Sequence, residues 1–159
     1  MSNTTTQSPS FAEYFAAFVK RRAAKNALAS INAKSIFDAL DQTNITSVIV
    51  DFDGGGDSGQ IEQITPYRGD EACDWPECNI HIQDLDMDGG DVLLTQDMRE
   101  AIETLCYDIL EDREGGWENN DGAFGTFSFD AATRKVTLDF NARYTTYETT
   151  EHCIEAGEV

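Results

Sequence analysis

The chain has 159 residues, with 30 Asp and Glu against 11 Lys and Arg, a formal charge of −19 and a pI near 4.1. This length suits one domain, and 40% hydrophobic residues with 10% aromatics supply a core, which excludes wholesale disorder. So acidic a surface repels phosphate backbones and attracts basic proteins or metal ions, so direct nucleic-acid binding is not expected.

Residues 1 to 9 are polar and end in Pro9, the pattern of a disordered arm. Met1 to Thr6 lacks the basic and apolar regions of a secretion signal. No apolar run reaches the roughly 20 residues of a bilayer span, so a cytoplasmic protein without membrane contact is expected. From Ser10, Phe11, Tyr14, Phe15, Phe18 and Val19 recur at helical spacing, followed by Leu28, Ile31, Ile36, Phe37 and Leu40. They predict one long or broken amphipathic helix to about residue 42, ended by Asn44. Its first part holds Lys20, Arg21, Arg22, Lys25 and Lys34 against Glu13 alone. Residues 35 to 159 therefore carry 29 acidic and six basic side chains, a net −23. A basic helix beside so acidic a body packs on that body or on a partner. The aromatic stripe at residues 11 to 18 exceeds what one small core buries and points to a homodimer.

Val48, Val50 and Phe52 alternate with Asp51 and Asp53, a half-buried strand. The glycine-rich turn at residues 54 to 59 returns it as a partner strand at Gln60 to Thr65. Residues 66 to 95 read as a long loop with one short strand at Asn79 to Ile82. Thr95 is placed to cap a second helix carrying Met98, Ile102, Leu105, Cys106, Ile109 and Leu110 on its apolar stripe, with Gly115 as the left-handed end. A last hairpin turns Phe127 and Phe129, then Val136, Leu138 and Phe140, inward around Ala131 to Arg134. The expected fold is α+β: an antiparallel sheet of two hairpins with two helices on one face, in the order α-β-β-α-β-β. Residues 10 to 150 form the domain and 151 to 159 a flexible acidic tail.

Several short motifs carry potential chemistry. Val48 to Gly54 resembles the nucleophile strand of haloacid-dehalogenase phosphatases, with Asp51 and Asp53 as the carboxylates of a small metal-dependent hydrolase. The threonine of that pattern is Gly55 here, and hairpins stand where crossovers should follow. Gly56-Asp57-Ser58-Gly59 matches a serine-protease string, but His81 and His152 are the only possible bases, and a hairpin turn accounts for it. Asp84, Asp86 and Asp88, with Gly89, follow the start of a calcium loop, although position twelve is Thr95. Asp51, Asp53, Gly56 and Glu62 fit the same template less well. Cys73, Cys78 and His81 with His152 and Cys153 could hold zinc but lack paired knuckles, and Cys106 belongs to a core stripe. The four cysteines read as thiols.

Trp117-Glu118-Asn119-Asn120-Asp121-Gly122-Ala123-Phe124-Gly125 opens the last hairpin. Beside the first turn, Asp53, Asp57, Glu62, Glu118, Asn119, Asn120 and Asp121 would form a rim with Trp117 and Phe124 as aromatic anchors. Phe52 to Glu62 together with Gly116 to Gly125 resembles an uncharacterised family of small acidic bacterial and phage proteins, over roughly residues 25 to 150. That resemblance implies a fold unit without catalytic residues, and a setting on mobile elements. The expected function is a non-enzymatic protein that occupies a basic site on a partner protein. A nucleic-acid-mimicking inhibitor of anti-CRISPR or anti-restriction type is one form of it. The alternatives are a calcium-binding module and a small hydrolase.

Overall fold

The computed structural model describes residues 10–157. The arm expected at residues 1 to 9 lies outside the described residues, as do the last two of the tail. The first helix, α1 (Phe11–Gln42), begins at a reciprocal cap in which the Ser10 hydroxyl accepts from the Glu13 amide and the Glu13 carboxylate accepts from the Ser10 amide. It runs unbroken for 32 residues, about 48 Å at 1.5 Å per residue. At its end the Thr43 amide and hydroxyl both donate to the Ala39 carbonyl, and Asn44 turns the chain at φ 60°. Only the C-terminal part is embedded, through Asn32, Ile36, Phe37, Ala39 and Leu40.

Strands β1 (Ser47–Gly55) and β2 (Ser58–Arg68) form the first hairpin, and β3 (Glu71–Ala72) adds a short edge. Next come β4 (Asn79–Leu85), β5 (Asp91–Asp97), the second helix α2 (Met98–Arg113), β6 (Ala123–Asp130) and β7 (Lys135–Ala142). The main sheet has the order β3-β2-β1-β6-β7, antiparallel throughout. The fold is thus α+β with two helix-plus-hairpin units, and their first strands, β1 and β6, pair at the centre. Val48, Val50, Phe52, Ile64, Phe127 and Phe129 on the inner face share one core with Ile36, Phe37 and Leu40 of α1 and Ile102, Leu105 and Leu110 of α2. Each such buried side chain contributes roughly 1.5–3 kcal/mol relative to exposure. The outer face carries Asp51, Asp53, Thr126, Ser128, Thr137 and Asp139, as the alternation required.

Three sequence expectations are corrected here. Residues 79 to 97 are not a loop with one strand; β4 and β5 pair over seven residues as a separate ribbon. Their inner Ile80 and Ile82 reach the core, and buried Asn32 of α1 clamps the Gln83 backbone with two 2.8 Å hydrogen bonds. The second helix starts later than Thr95, because pairing of His81 with Thr95 and of Asn79 with Asp97 keeps that stretch extended. Asp97 is the cap, accepting from the Glu100 amide at 2.7 Å. The left-handed glycine beyond the helix is Gly116, at φ 79°. Among the described residues no helix is long and apolar enough to cross a membrane.

Candidate functional site

Because β1 and β6 are antiparallel with Gly54 opposite Ala123, the end of β1 lies beside the start of β6. The β1–β2 turn therefore meets the segment linking α2 to β6. The Asp57 amide donates to the Glu118 carbonyl at 3.0 Å and the Gly56 amide to the Asn120 carbonyl at 3.4 Å. Asp53, Asp57, Glu118 and Asp121 thus share one end of the sheet. The reason is central strand pairing and not two equivalent hairpin tips, since residues 117 to 122 connect a helix to a strand.

The side chains at this end have different tasks. Trp117 is half-buried on the inner side, edge-on to Phe52 with ring centroids 5.6 Å apart. Its ring lies against Gly54 and Gly59, where an added Cβ would stand 2.6 Å and 2.4 Å from indole carbons. The Trp117 indole thus explains why glycine occupies both positions. Phe124 lies on the outer face, 44% exposed, with the Arg143 guanidinium 4.7 Å over its ring. Arg143 also grips Asp53 with both terminal nitrogens, at 2.9 and 3.1 Å, and donates to the Gly54 carbonyl at 3.0 Å. Asp121 accepts from the amide and hydroxyl of Thr145, each at 2.6 Å, so it fixes the chain leaving β7. Asp57 remains exposed in the turn, at φ 65°. Glu62 is also exposed, at a β-bulge beside which the Ile61 amide donates to the Tyr107 hydroxyl at 2.9 Å. Glu118 is half-buried, and Asn119 and Asn120 are exposed.

Sequence reasoning missed Arg143. Its signal was scarcity, because only six cations follow residue 34 and each is a ready counterion for the fold. Arg134 bonds Asp38, Asp41 and the Lys34 carbonyl while lying over Phe37, tying α1 to the β6–β7 turn. Arg22 holds Asp112 at 2.7 Å, joining α1 to α2. Part of the basic charge of α1 is therefore satisfied within the chain.

Hydrogen bonds from Arg134, Arg143 and Arg22 hold the carboxyls of Asp38, Asp53 and Asp112, respectively, below the ordinary 3.8. A depressed folded value means the stabilisation is present above about pH 4 and is lost as pH falls through the folded values. Urea midpoints should therefore begin to drop as pH falls below about 4. Arg143→Ala should shrink that drop, and an equal drop in wild type and variant would remove Asp53 from the explanation.

The remaining sequence candidates are dispersed. Asp84, Asp86 and Asp88 surround the β4–β5 turn, where Asp86 Oδ1 accepts from the amides of Asp88 and Gly90 at 2.9 and 2.7 Å and Asp84 Oδ1 from that of Leu85 at 2.8 Å. Cys73 and Cys78 pack against the core, whereas Cys153 is exposed and all four cysteines are thiols. His81 Nδ1 is 3.3 Å from the Thr95 hydroxyl on the ribbon, a different sheet from the one bearing Ser58. Among the described residues no three His, Cys, Asp or Glu side chains are grouped to hold a metal ion. Asp51 and Asp53 share the outer face of β1, which runs straight into an antiparallel partner and not a crossover helix.

Residues 28–154 match the model of a family of unknown function, DUF6878. The chain belongs to that family. The match holds both turn segments and the whole sheet, and it begins within α1, leaving the aromatic first half of the helix outside. No curated protein and no solved structure matches the chain.

Proposed function

We propose that this member of DUF6878 is a non-enzymatic interaction protein whose acidic surface occupies a basic site on another protein. The observation that carries the reading is a sheet face with unneutralised carboxylates. Among the described residues ion pairs engage Asp38, Asp41, Asp53, Glu103 and Asp112, whereas Asp51, Asp57, Glu62, Asp130 and Asp139 are exposed outside those pairs. Asp51 and Asp139 stand in register on either side of Thr126, about 10 Å apart at strand spacing. Carboxylates fixed at regular spacing can take the place of a phosphate track and steer association. The specific form we propose is a cytoplasmic nucleic-acid mimic that inhibits restriction or CRISPR machinery for a phage or mobile element. The pairing of Asp53 with Arg143 removes that carboxylate from the contact set and leaves Asp57, Glu62 and the half-buried Glu118 as acidic contacts at the rim.

The test is capture of partners from host lysate at low and high salt, followed by kinetics with the captured protein. Changing Asp51, Asp57 and Asp139 to Asn and Glu62 to Gln together should slow association about tenfold and flatten its salt dependence. Asp57→Asn alone should alter it less than about twofold. An affinity equal at both salts would defeat the electrostatic reading, and complete loss from one Asp→Asn change would favour metal binding or catalysis.

A further inference from the structure

The first turns of α1 precede the point where Arg21 and Arg22 bond to the rest of the domain. Phe11, Tyr14, Phe15 and Phe18 there are 85%, 60%, 57% and 61% exposed. At spacings of four and three residues, the line Phe11, Phe15, Phe18 continues along the same face through Arg22, Asn26, Ala29 and Ala33. Phe18 to Ala33 of that line border a cleft of about 1010 Å³ between α1, α2 and Val136 of β7. Leu105 and Ile109 of α2 add to its apolar lining. One helix face thus carries large rings at one end and an alanine-floored groove at the other.

We propose that this face pairs with the same face of a second copy, antiparallel, with the aromatic half of each α1 seated in the cleft of the other. The spacing sets the register: Phe11 opposite Ala33, Phe15 opposite Ala29, and Tyr14 opposite Ser30, with Arg22 at the two-fold axis. The interface is isologous, so it closes at two copies. Charge in the cleft is close to balanced, because Arg21, Arg22, Lys25 and Arg113 line it beside Asp108, Glu111 and Asp112, so large rings meeting an alanine floor, and the area they bury, select the occupant. The two Arg22 side chains that meet at the axis are each bound to their own Asp112. Four aromatics from each copy, at roughly 150 Å² apiece, would bury on the order of 1,200 Å², the lower end of specific interfaces. An anionic lipid surface would also attract a basic aromatic helix, but it would repel the −23 body attached to it.

Sedimentation equilibrium of the full chain at micromolar concentration should give twice 17.6 kDa. Phe15→Glu should give the monomer mass with far-UV dichroism unchanged, since Phe15 is exposed. Ala29→Phe, at a half-buried position packed against the core, should give the monomer mass with only a small fall in urea midpoint. In a Cys153→Ser background, a short bis-maleimide should link Phe15→Cys protein to Ala29→Cys protein when the two are mixed. It should not link Phe15→Cys to itself, because those positions lie about 21 Å apart along the paired helices. A wild-type mass of 17.6 kDa at micromolar concentration, a dimer that survives Phe15→Glu, or self-linking equal to that of the mixture would each overturn the proposal. So would flotation of a monomeric wild-type protein with phosphatidylglycerol vesicles.

Discussion

Gly122→Ala should destabilise the fold by about 4 kcal/mol or more, a loss in the range reserved for severe steric or backbone conflicts. A Cβ at this position would stand 1.8 Å from the Gly54 carbonyl oxygen and 2.7 Å from the Gly55 Cα, at a φ of +76°. Neither obstacle is a flexible side-chain end. Gly54 is paired to Gly59 on one side and Ala123 on the other, and its carbonyl accepts from Arg143. Relief would require the α2–β6 connection to leave the end of β1, releasing the Asp57 and Gly56 hydrogen bonds and the Trp117 ring together. For a domain of this size, such a loss lowers Tm by roughly 10 °C or more. Gly56→Ala is the control, since Gly56 shares a positive φ of 61° but has nothing within 4 Å of an added Cβ. It should cost about 1 kcal/mol. Equal urea midpoints for the two variants would show that backbone conformation alone, and not the close approach to Gly54, governs Gly122.

Periodicity made the embedded helices and the two main hairpins legible, because each of those elements buries one face and the face is written in the spacing. Val50 and Phe52 lie opposite Ile64 and Ile61 of β2, and Val48 and Val50 opposite Phe129 and Phe127 of β6. The β4–β5 ribbon was harder to see for a physical reason. Ile80, Ile82, Val92 and Leu94 do alternate, but the acidic turn between them reads equally as a solvated or ion-binding loop, and half of the ribbon's surface never meets the core. Thr95 and Asp97 are both good caps, and strand pairing, a nonlocal fact, decided between them. The rim was legible as residue types but not as roles. Nothing local in the sequence shows that Arg143 neutralises Asp53 across 90 positions, or that Thr145 occupies Asp121. Those pairings turn part of an apparent docking surface into internal support, and they leave exposed Asp57 and Glu62 and half-buried Glu118 as the remaining carboxylates there.

Trp117 and Gly59 should show strong energetic coupling. Trp117→Ala removes an indole that stands edge-on to Phe52 and covers Gly54 and Gly59, so a loss of about 3 kcal/mol is expected for this half-buried ring. Gly59→Ala in the wild-type background places a Cβ 2.4 Å from an indole carbon, which should cost about 1–3 kcal/mol as the ring is pushed off Phe52. With Trp117→Ala already present the indole is gone and only Glu118 Cβ, 3.0 Å from the added Cβ, still crowds it. Gly59 has no positive φ, so Ala suits its strand backbone and should then be close to neutral. The cycle should therefore give a coupling of about 1–3 kcal/mol, read from urea midpoints of the four proteins. Strict additivity would mean that the ring is not held against the strand. Adding Trp117→Phe, which keeps an aromatic ring beside Phe52, separates support from docking. If Trp117 also anchors a partner through its indole, Trp117→Phe should regain most of the stability lost in Trp117→Ala while dissociation stays fast. If the ring acts only within the fold, Trp117→Phe should recover stability and dissociation rate in parallel.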